Sequence, residues 1–188
     1  VIGKDPKGKI FMDQLSKVGM ISEGIVQSDE RITTIKYRII GNQTQMIRID
    51  EEDQHDLSAK ENEQFLNAFF ALIDRYQIDA IIFEDYDKGL LNPHNIAQIV
   101  QKAKEKGILV TTDPKKKNFH AYAGVDLFKP NLKELCDALH LNREQLTIEQ
   151  LHDAAKQFAH LYEIDMVMVT LSDKGIALYH RINDHFEL

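Results

Sequence analysis

The sequence predicts an α/β fold in which a mainly parallel sheet carries helices on both faces, with a small antiparallel β excursion near its start. Three observations carry this. From Ser58 onward, helix-period segments alternate with short apolar runs. Few of those runs alternate polar and apolar residues, as strands of a sheet covered on both faces need not. One region, 24–50, departs from that rhythm with β-branched, alternating segments around Gly41-Asn42.

The elements follow in order. Asp5 and Pro6 read as N-cap and first helical residue, and Phe11, Leu15 and Val18 recur at helical spacing up to Gly19, which predicts a helix over 6–18. Segments 32–40 and 45–49 form the antiparallel excursion, of the kind that serves as a lid. The acidic run Asp50, Glu51, Glu52, Asp53 reads as a solvated connector. Ser58 and Glu61 are spaced as a capping box ahead of Phe65, Leu66, Phe69, Ile73 and Tyr76.

Strand 80–83 comes next, then a helix begun by Asn92-Pro93 and closed by Gly107, then strand 108–112. A short strand at 125–128 precedes a short helix at 131–139. Thr147 and Gln150 cap another helix, and 166–170 and 176–179 close the pattern as strands. The length suits one domain, 1–188, with 24–50 as the lid.

Composition excludes several classes of function. A net charge of -7 disfavours non-specific adhesion to nucleic acid or anionic membrane. No apolar run approaches the roughly 20 residues of a membrane span. Cys136 is the single cysteine, so no internal disulfide forms and a reducing cytoplasm is the simplest compartment. The start of the chain shows no secretory signal. P-loop, G-x-G-x-x-G, G-x-S-x-G and H-E-x-x-H motifs do not occur, and the eight histidines are scattered, so no zinc site is assigned.

The residues that suit chemistry gather at the carboxyl ends of predicted strands, where open α/β sheets bind ligands. Asp113, Pro114 and Lys115 follow one strand, and Asn131 and Glu134 follow the next. Asn131 and Glu134 make a good helix cap; the same amide and carboxylate can organise water and magnesium around nucleotide phosphates, and both roles can hold together. Lys115, Lys116 and Lys117 are either a solvated run or, for Lys115, a point charge for phosphate. Thr170, Ser172 and Gly175 form either a plain turn or a phosphate-binding one. Glu84, Asp85, Tyr86, Asp87, Lys88 and Gly89 form a polar loop after strand 80–83. Lys36 and Arg38 share one face of a lid strand, either as solvent-facing edge charges or as a grip for a phosphorylated substrate.

Together these segments resemble the ribokinase or PfkB family of carbohydrate kinases, and within it the kinases of D-glycero-D-manno-heptose 7-phosphate in ADP-heptose synthesis. The resemblance covers nearly the whole chain: 2–8 as the G-x-D-x-x-G segment and 33–50 as the lid. It continues through 85–89 as D-Y-x-K-G, Asp113-Pro114-Lys115 as D-P-K, 130–134 as P-N-x-x-E and 170–175 as the nucleotide turn. Their order and spacing are specific as a set.

The resemblance implies a three-layer, ribokinase-like fold and transfer of a phosphoryl group from Mg2+ and ATP to a sugar hydroxyl. The expected product is a precursor of the lipopolysaccharide core. Lys36, Arg38, Arg48, Asp85, Tyr86 and Lys88 are then expected towards the sugar phosphate. Lys115, Asn131, Thr170, Ser172 and Gly175 are expected to serve the nucleotide, with Asn131 and Glu134 acting indirectly on magnesium. It further implies a homodimer through the lid. The family's catalytic base lies in a downstream G-A-G-D segment that these 188 residues do not contain, and its glycine- and asparagine-rich sugar segment precedes the part matched here. The expectation is therefore an internal piece of a kinase with little or no turnover of its own. Another PfkB-type kinase, of fructose or ribose, and a non-catalytic dimerisation module are the alternatives.

Overall fold

In the computed structural model, which describes residues 1–143 and 146–188, the chain divides into two compact units. One is Val1–Gln77 with Lys88–Leu90; the other is Ile78–Asp87 with Leu91–Leu188.

The first unit opens with a parallel pair of two-residue strands, β1 (Ile2–Gly3) and β2 (Gln27–Ser28), on either side of α1 (Pro6–Lys17). Asp5 caps α1 by accepting from the Gly8 amide at 2.7 Å, and its other oxygen accepts from the Thr33 amide at 2.8 Å. These two backbone amides hold its carboxyl below the ordinary value. Gly8 has to be glycine, since a Cβ there would lie 2.3 Å from the Gly3 carbonyl oxygen. The G-x-D-x-x-G segment is thus a tightly packed helix start.

The lid is the antiparallel pair β3 (Ile35–Gly41) and β4 (Thr44–Glu51), with a register irregularity at Ile39/Ile40. It begins three residues later than the sequence pattern suggests. The amides of Ile32 and Thr33 are taken by the carboxylates of Asp53 and Asp5, which leaves them no place in the ladder. The acidic run is likewise not a solvated connector: Asp50 and Glu51 belong to β4, Glu52 pairs with Lys88, and Asp53 holds Ile32. Helix α2 (Ala59–Arg75) follows, with the capping box at Ser58 and Glu61 formed as predicted.

The second unit is built on one six-stranded sheet. Its strands are β5 (Ala80–Glu84), β6 (Leu109–Asp113), β7 (Leu127–Phe128), β8 (Met166–Thr170), β9 (Ile176–His180) and β10 (His185–Glu187). Their spatial order is β10-β9-β8-β7-β6-β5, parallel from β5 to β8 and antiparallel at β9 and β10. Helices α3 (Pro93–Lys106), α4 (Leu132–Leu139) and α5 (Ile148–Leu161) connect them. Gly107 ends α3 at φ 67°, a left-handed position that glycine occupies without penalty.

One face of this sheet is fully packed. Phe83, Val110, Phe128, Val167, Val169, Ala177 and Tyr179 are all buried. Phe128 meets Phe158 of α5 and Phe119 at ring distances of 4.8 Å each. Burying each such ring contributes about 1.5–3 kcal/mol. Phe119 comes from a 3-10 turn, Lys116–Ala121, that the sequence pattern did not announce. The opposite face is more open, with Ile82 and Leu109 exposed. No helix among the described residues is long and apolar enough to cross a membrane.

Candidate functional site

In the second unit, the ends of β6, β7 and β8 bring the nucleotide candidates together. Strand β6 delivers Asp113, and Lys115 follows it with its ammonium 3.2 Å from Glu134 Oε1. Asn131 caps α4: its side chain accepts from the Glu134 amide at 2.8 Å, while Glu134 Oε2 accepts from the Asn131 amide at 2.9 Å. The cap and the lysine contact therefore coexist, each using a different oxygen of Glu134. Lys129 adds a second cation, 2.7 Å from Asp113.

The turn after β8 is tied to this cluster through the backbone. Thr170 forms a parallel bridge with Asn131, and its amide donates to the Pro130 carbonyl at 3.0 Å. Ser172 is exposed with φ 60°, and Gly175 has φ 94°. The turn closes through the Leu171 amide to the Gly175 carbonyl at 2.9 Å. So Lys115, Asn131, Glu134, Thr170, Ser172 and Gly175 lie on consecutive strand ends of one sheet.

A cavity of about 390 Å3 opens beside Lys115, Asn131 and Glu134. Lys116, Lys133, His120 and His140 add positive or titratable groups to its walls, over Phe119 and Ala138. No cluster of three His, Cys, Asp or Glu side chains among the described residues could cage a metal. Of the two carboxylates on these walls, Asp137 is paired with Lys133 at 2.7 Å, and Glu134 beside lysines fits magnesium differently: the ion keeps waters and takes most other ligands from nucleotide phosphates, as Mg2+ commonly does. Glu134 and Asn131 fit that indirect role, and Lys115 fits a phosphate oxygen.

In the first unit, the lid places Lys36, Arg38 and Arg48 on one face, since Arg38 lies directly across from Arg48 and Lys36 from Asp50. Their charges are already engaged. Asp50 meets Lys36 at 3.3 Å and Arg48 at 2.9 Å, and Glu52 lies 3.9 Å from Lys36 and bonds Lys88 directly. The bonded Lys88 ammonium, with Gln54, holds the Glu52 carboxyl below its ordinary value. The backbone of Lys88 is fixed as well: Arg31 donates to its carbonyl at 2.6 Å and to that of His55 at 2.7 Å. The other lid face carries Tyr37, Ile39, Ile47 and Ile49, between 43% and 51% exposed.

Asp85 and Tyr86 return to the second unit, and the structure separates them. Tyr86 is exposed, whereas Asp85 is 4% exposed and bonded by Asn118 and Tyr122. Sequence reasoning missed Asn118 and Tyr122. The signal available was a pair of polar side chains spaced around Phe119, which no local pattern assigns to a partner more than 30 residues away.

The comparisons with known proteins give the family and the fold. The family described as pfkB family carbohydrate kinase matches residues 1–187. The chain belongs to the pfkB carbohydrate kinase family. It is 34% identical over 181 residues to the bifunctional protein HldE of Helicobacter pylori strain P12, which covers 96% of this chain and 38% of that protein. The chain thus spans well under half the length of this relative. Among solved structures it resembles phosphofructokinase-2 of Escherichia coli in complex with potassium, with a TM-score of 0.74 and 13% identity. That match covers 99% of this chain and 58% of the other. Ribokinase of Giardia lamblia gives a TM-score of 0.69 at 15% identity, covering 99% and 56%. These likenesses establish the ribokinase-like α/β fold, with its mainly parallel sheet, helices and small antiparallel sheet.

Proposed function

We propose that the protein containing this chain is a cytoplasmic kinase that transfers a phosphoryl group from magnesium ATP to a sugar phosphate, D-glycero-D-manno-heptose 7-phosphate before others. The observation that carries this reading is the convergence of Lys115, Asn131 and Glu134 beside the Thr170 turn. Phosphoryl transfer asks chiefly for positioning and charge neutralisation, and this cluster offers both. The choice of a phosphorylated sugar rests on the cationic face of Lys36, Arg38 and Arg48 and on the resemblance to heptose-phosphate kinases. Arg38 and Arg48 present planar guanidinium groups suited to phosphate.

The test is a panel of heptose 7-phosphate, fructose 6-phosphate, ribose and unphosphorylated heptose with ATP, assayed on the longest reading frame containing these residues. Arg38→Ala is expected to raise KM for the heptose phosphate about tenfold and to leave KM for ATP unchanged. Equal use of the unphosphorylated sugar removes the role given to the lid cations and favours a ribokinase-like enzyme.

The apolar lid face of Tyr37, Ile39, Ile47 and Ile49 suits pairing with a second copy of the chain. In sedimentation at micromolar concentration, the Ile39→Asp/Ile47→Asp double variant is expected to run as a monomer where the parent runs as a dimer. A monomeric parent overturns the pairing.

A further inference from the structure

Asp85 is the one buried carboxylate among the described residues of the second unit. Burying a carboxylate opposes folding unless hydrogen bonds compensate, and apolar residues fill space better. Its partners come from separate segments. Oδ2 accepts from Asn118 Nδ2 at 3.0 Å and from the Tyr122 hydroxyl at 2.8 Å, while Oδ1 accepts from the Asp87 amide at 2.8 Å. Asn118 and Tyr122 are each 1% exposed, and Asn118 Nδ2 also donates to the Leu91 carbonyl at 2.9 Å. The donors that fix Asp85 are therefore rigid, packed groups.

The residues that Asp85 controls are of the opposite kind. Tyr86 is 64% exposed, and Asp87 sits at φ 55°, a left-handed conformation disfavoured for a residue with a Cβ. The bond from the Asp87 amide to Asp85 Oδ1 closes a turn that offsets this strain. Burial and the adjacent Asp85 carboxylate keep the Tyr122 phenol protonated, well above its ordinary range, so it remains a donor. Asn118 Oδ1 is buried without a hydrogen-bond partner, so this network holds its geometry at a cost.

We propose that Asn118 and Tyr122 are positioning residues that act through buried Asp85 to hold Tyr86 and Asp87 in the conformation that engages the sugar phosphate. Asp85 itself faces inward and does not touch the substrate. The substrate part of this inference rests on the kinase reading above; the positioning part does not.

Two readouts test it on the longest reading frame containing the chain. Tyr122→Phe keeps the ring that packs 5.4 Å from Phe83 while removing the hydroxyl. It is expected to speed amide exchange at Asp87 about tenfold, with α5 amides unchanged, and to raise KM for the sugar phosphate about tenfold with KM for ATP within about twofold. Asp85→Asn behaves likewise, and the exchanged pair Asp85→Asn/Asn118→Asp recovers most of the loss by restoring one carboxylate and one amide. Unchanged exchange at Asp87 overturns the proposal. So does a parallel rise of both KM values with a fall in melting temperature, which marks a merely structural network. If the parent phosphorylates no sugar, the kinase reading fails, and the Asp87 exchange result still decides the positioning.

Discussion

Given magnesium ATP and heptose 7-phosphate, the 188-residue chain is expected to bind the nucleotide but to transfer its phosphoryl group at least about 100-fold more slowly than an ordinary kinase. Three carboxylates at or just beyond its strand ends are already committed. Asp113 is held by Lys129, Glu134 by Lys115 and the Asn131 amide, and Asp85 by Asn118 and Tyr122. A carboxylate whose lone pairs are occupied by cations or buried donors is a poor acceptor for a sugar hydroxyl proton, and no G-A-G-D segment occurs in the chain. The residues proposed to hold the nucleotide nevertheless remain. Calorimetric titration with magnesium ADP is expected to give a measurable affinity, weakened about tenfold or more by Glu134→Ala. Turnover of about 1–100 per second by this chain would show that a base exists among these residues and overturn the assignment.

Replacing Glu61 by alanine is expected to destabilise the first unit by about 2–4 kcal/mol, because three donors, one of them fully buried, lose their acceptor at once. Glu61 is 3% exposed; Ser28 Oγ donates to one oxygen, and the Ser58 amide and hydroxyl donate to the other at 2.9 Å each. Burial alone would raise its carboxyl pKa, yet the bonds from Ser28 and Ser58 and the nearby Arg31 charge bring it below the ordinary 4.5. A depressed folded-state value means that this stabilisation is complete above the unfolded-state pKa and fades as pH falls through the folded one. Urea unfolding followed by hydrogen exchange in α2 should therefore show a stability loss below about pH 4.5 that Glu61→Ala lacks. Glu61→Gln retains an acceptor for one set of donors and should fall between the two. A wild-type acid profile in Glu61→Ala would sink the claim.

The helices were legible because their signals are local. Asp5-Pro6, Ser58 with Glu61, Asn92-Pro93 with Gly107, Asn131 with Glu134, and Thr147 with Gln150 each sit within one helix and form the expected caps. The long apolar strands β5, β6, β8 and β9 were legible for the same reason. Strands β1 and β2 have two residues each, too few for any periodicity, and exist only through partners distant in sequence, whereas β7, equally short, falls inside the predicted strand 125–128. The 3-10 turn at Lys116–Ala121 hid behind three lysines that look like solvated loop.

The site divides the same way. Lys115, Asn131 and Glu134 come together because short loops at neighbouring strand ends leave them little choice. The burial of Asp85 is not written in a D-Y-x-K-G pattern. Its inward orientation depends on Asn118 and Tyr122, which lie 33 and 37 residues on.

The ion pairs of the lid have an arithmetic of their own. Among the described residues, Lys36, Arg38, Arg48 and Lys88 share that neighbourhood with two carboxylates bonded among them, Asp50 and Glu52. Two positive charges are left over. A phosphate monoester carries close to two negative charges at neutral pH. The cluster is one such group short of neutrality.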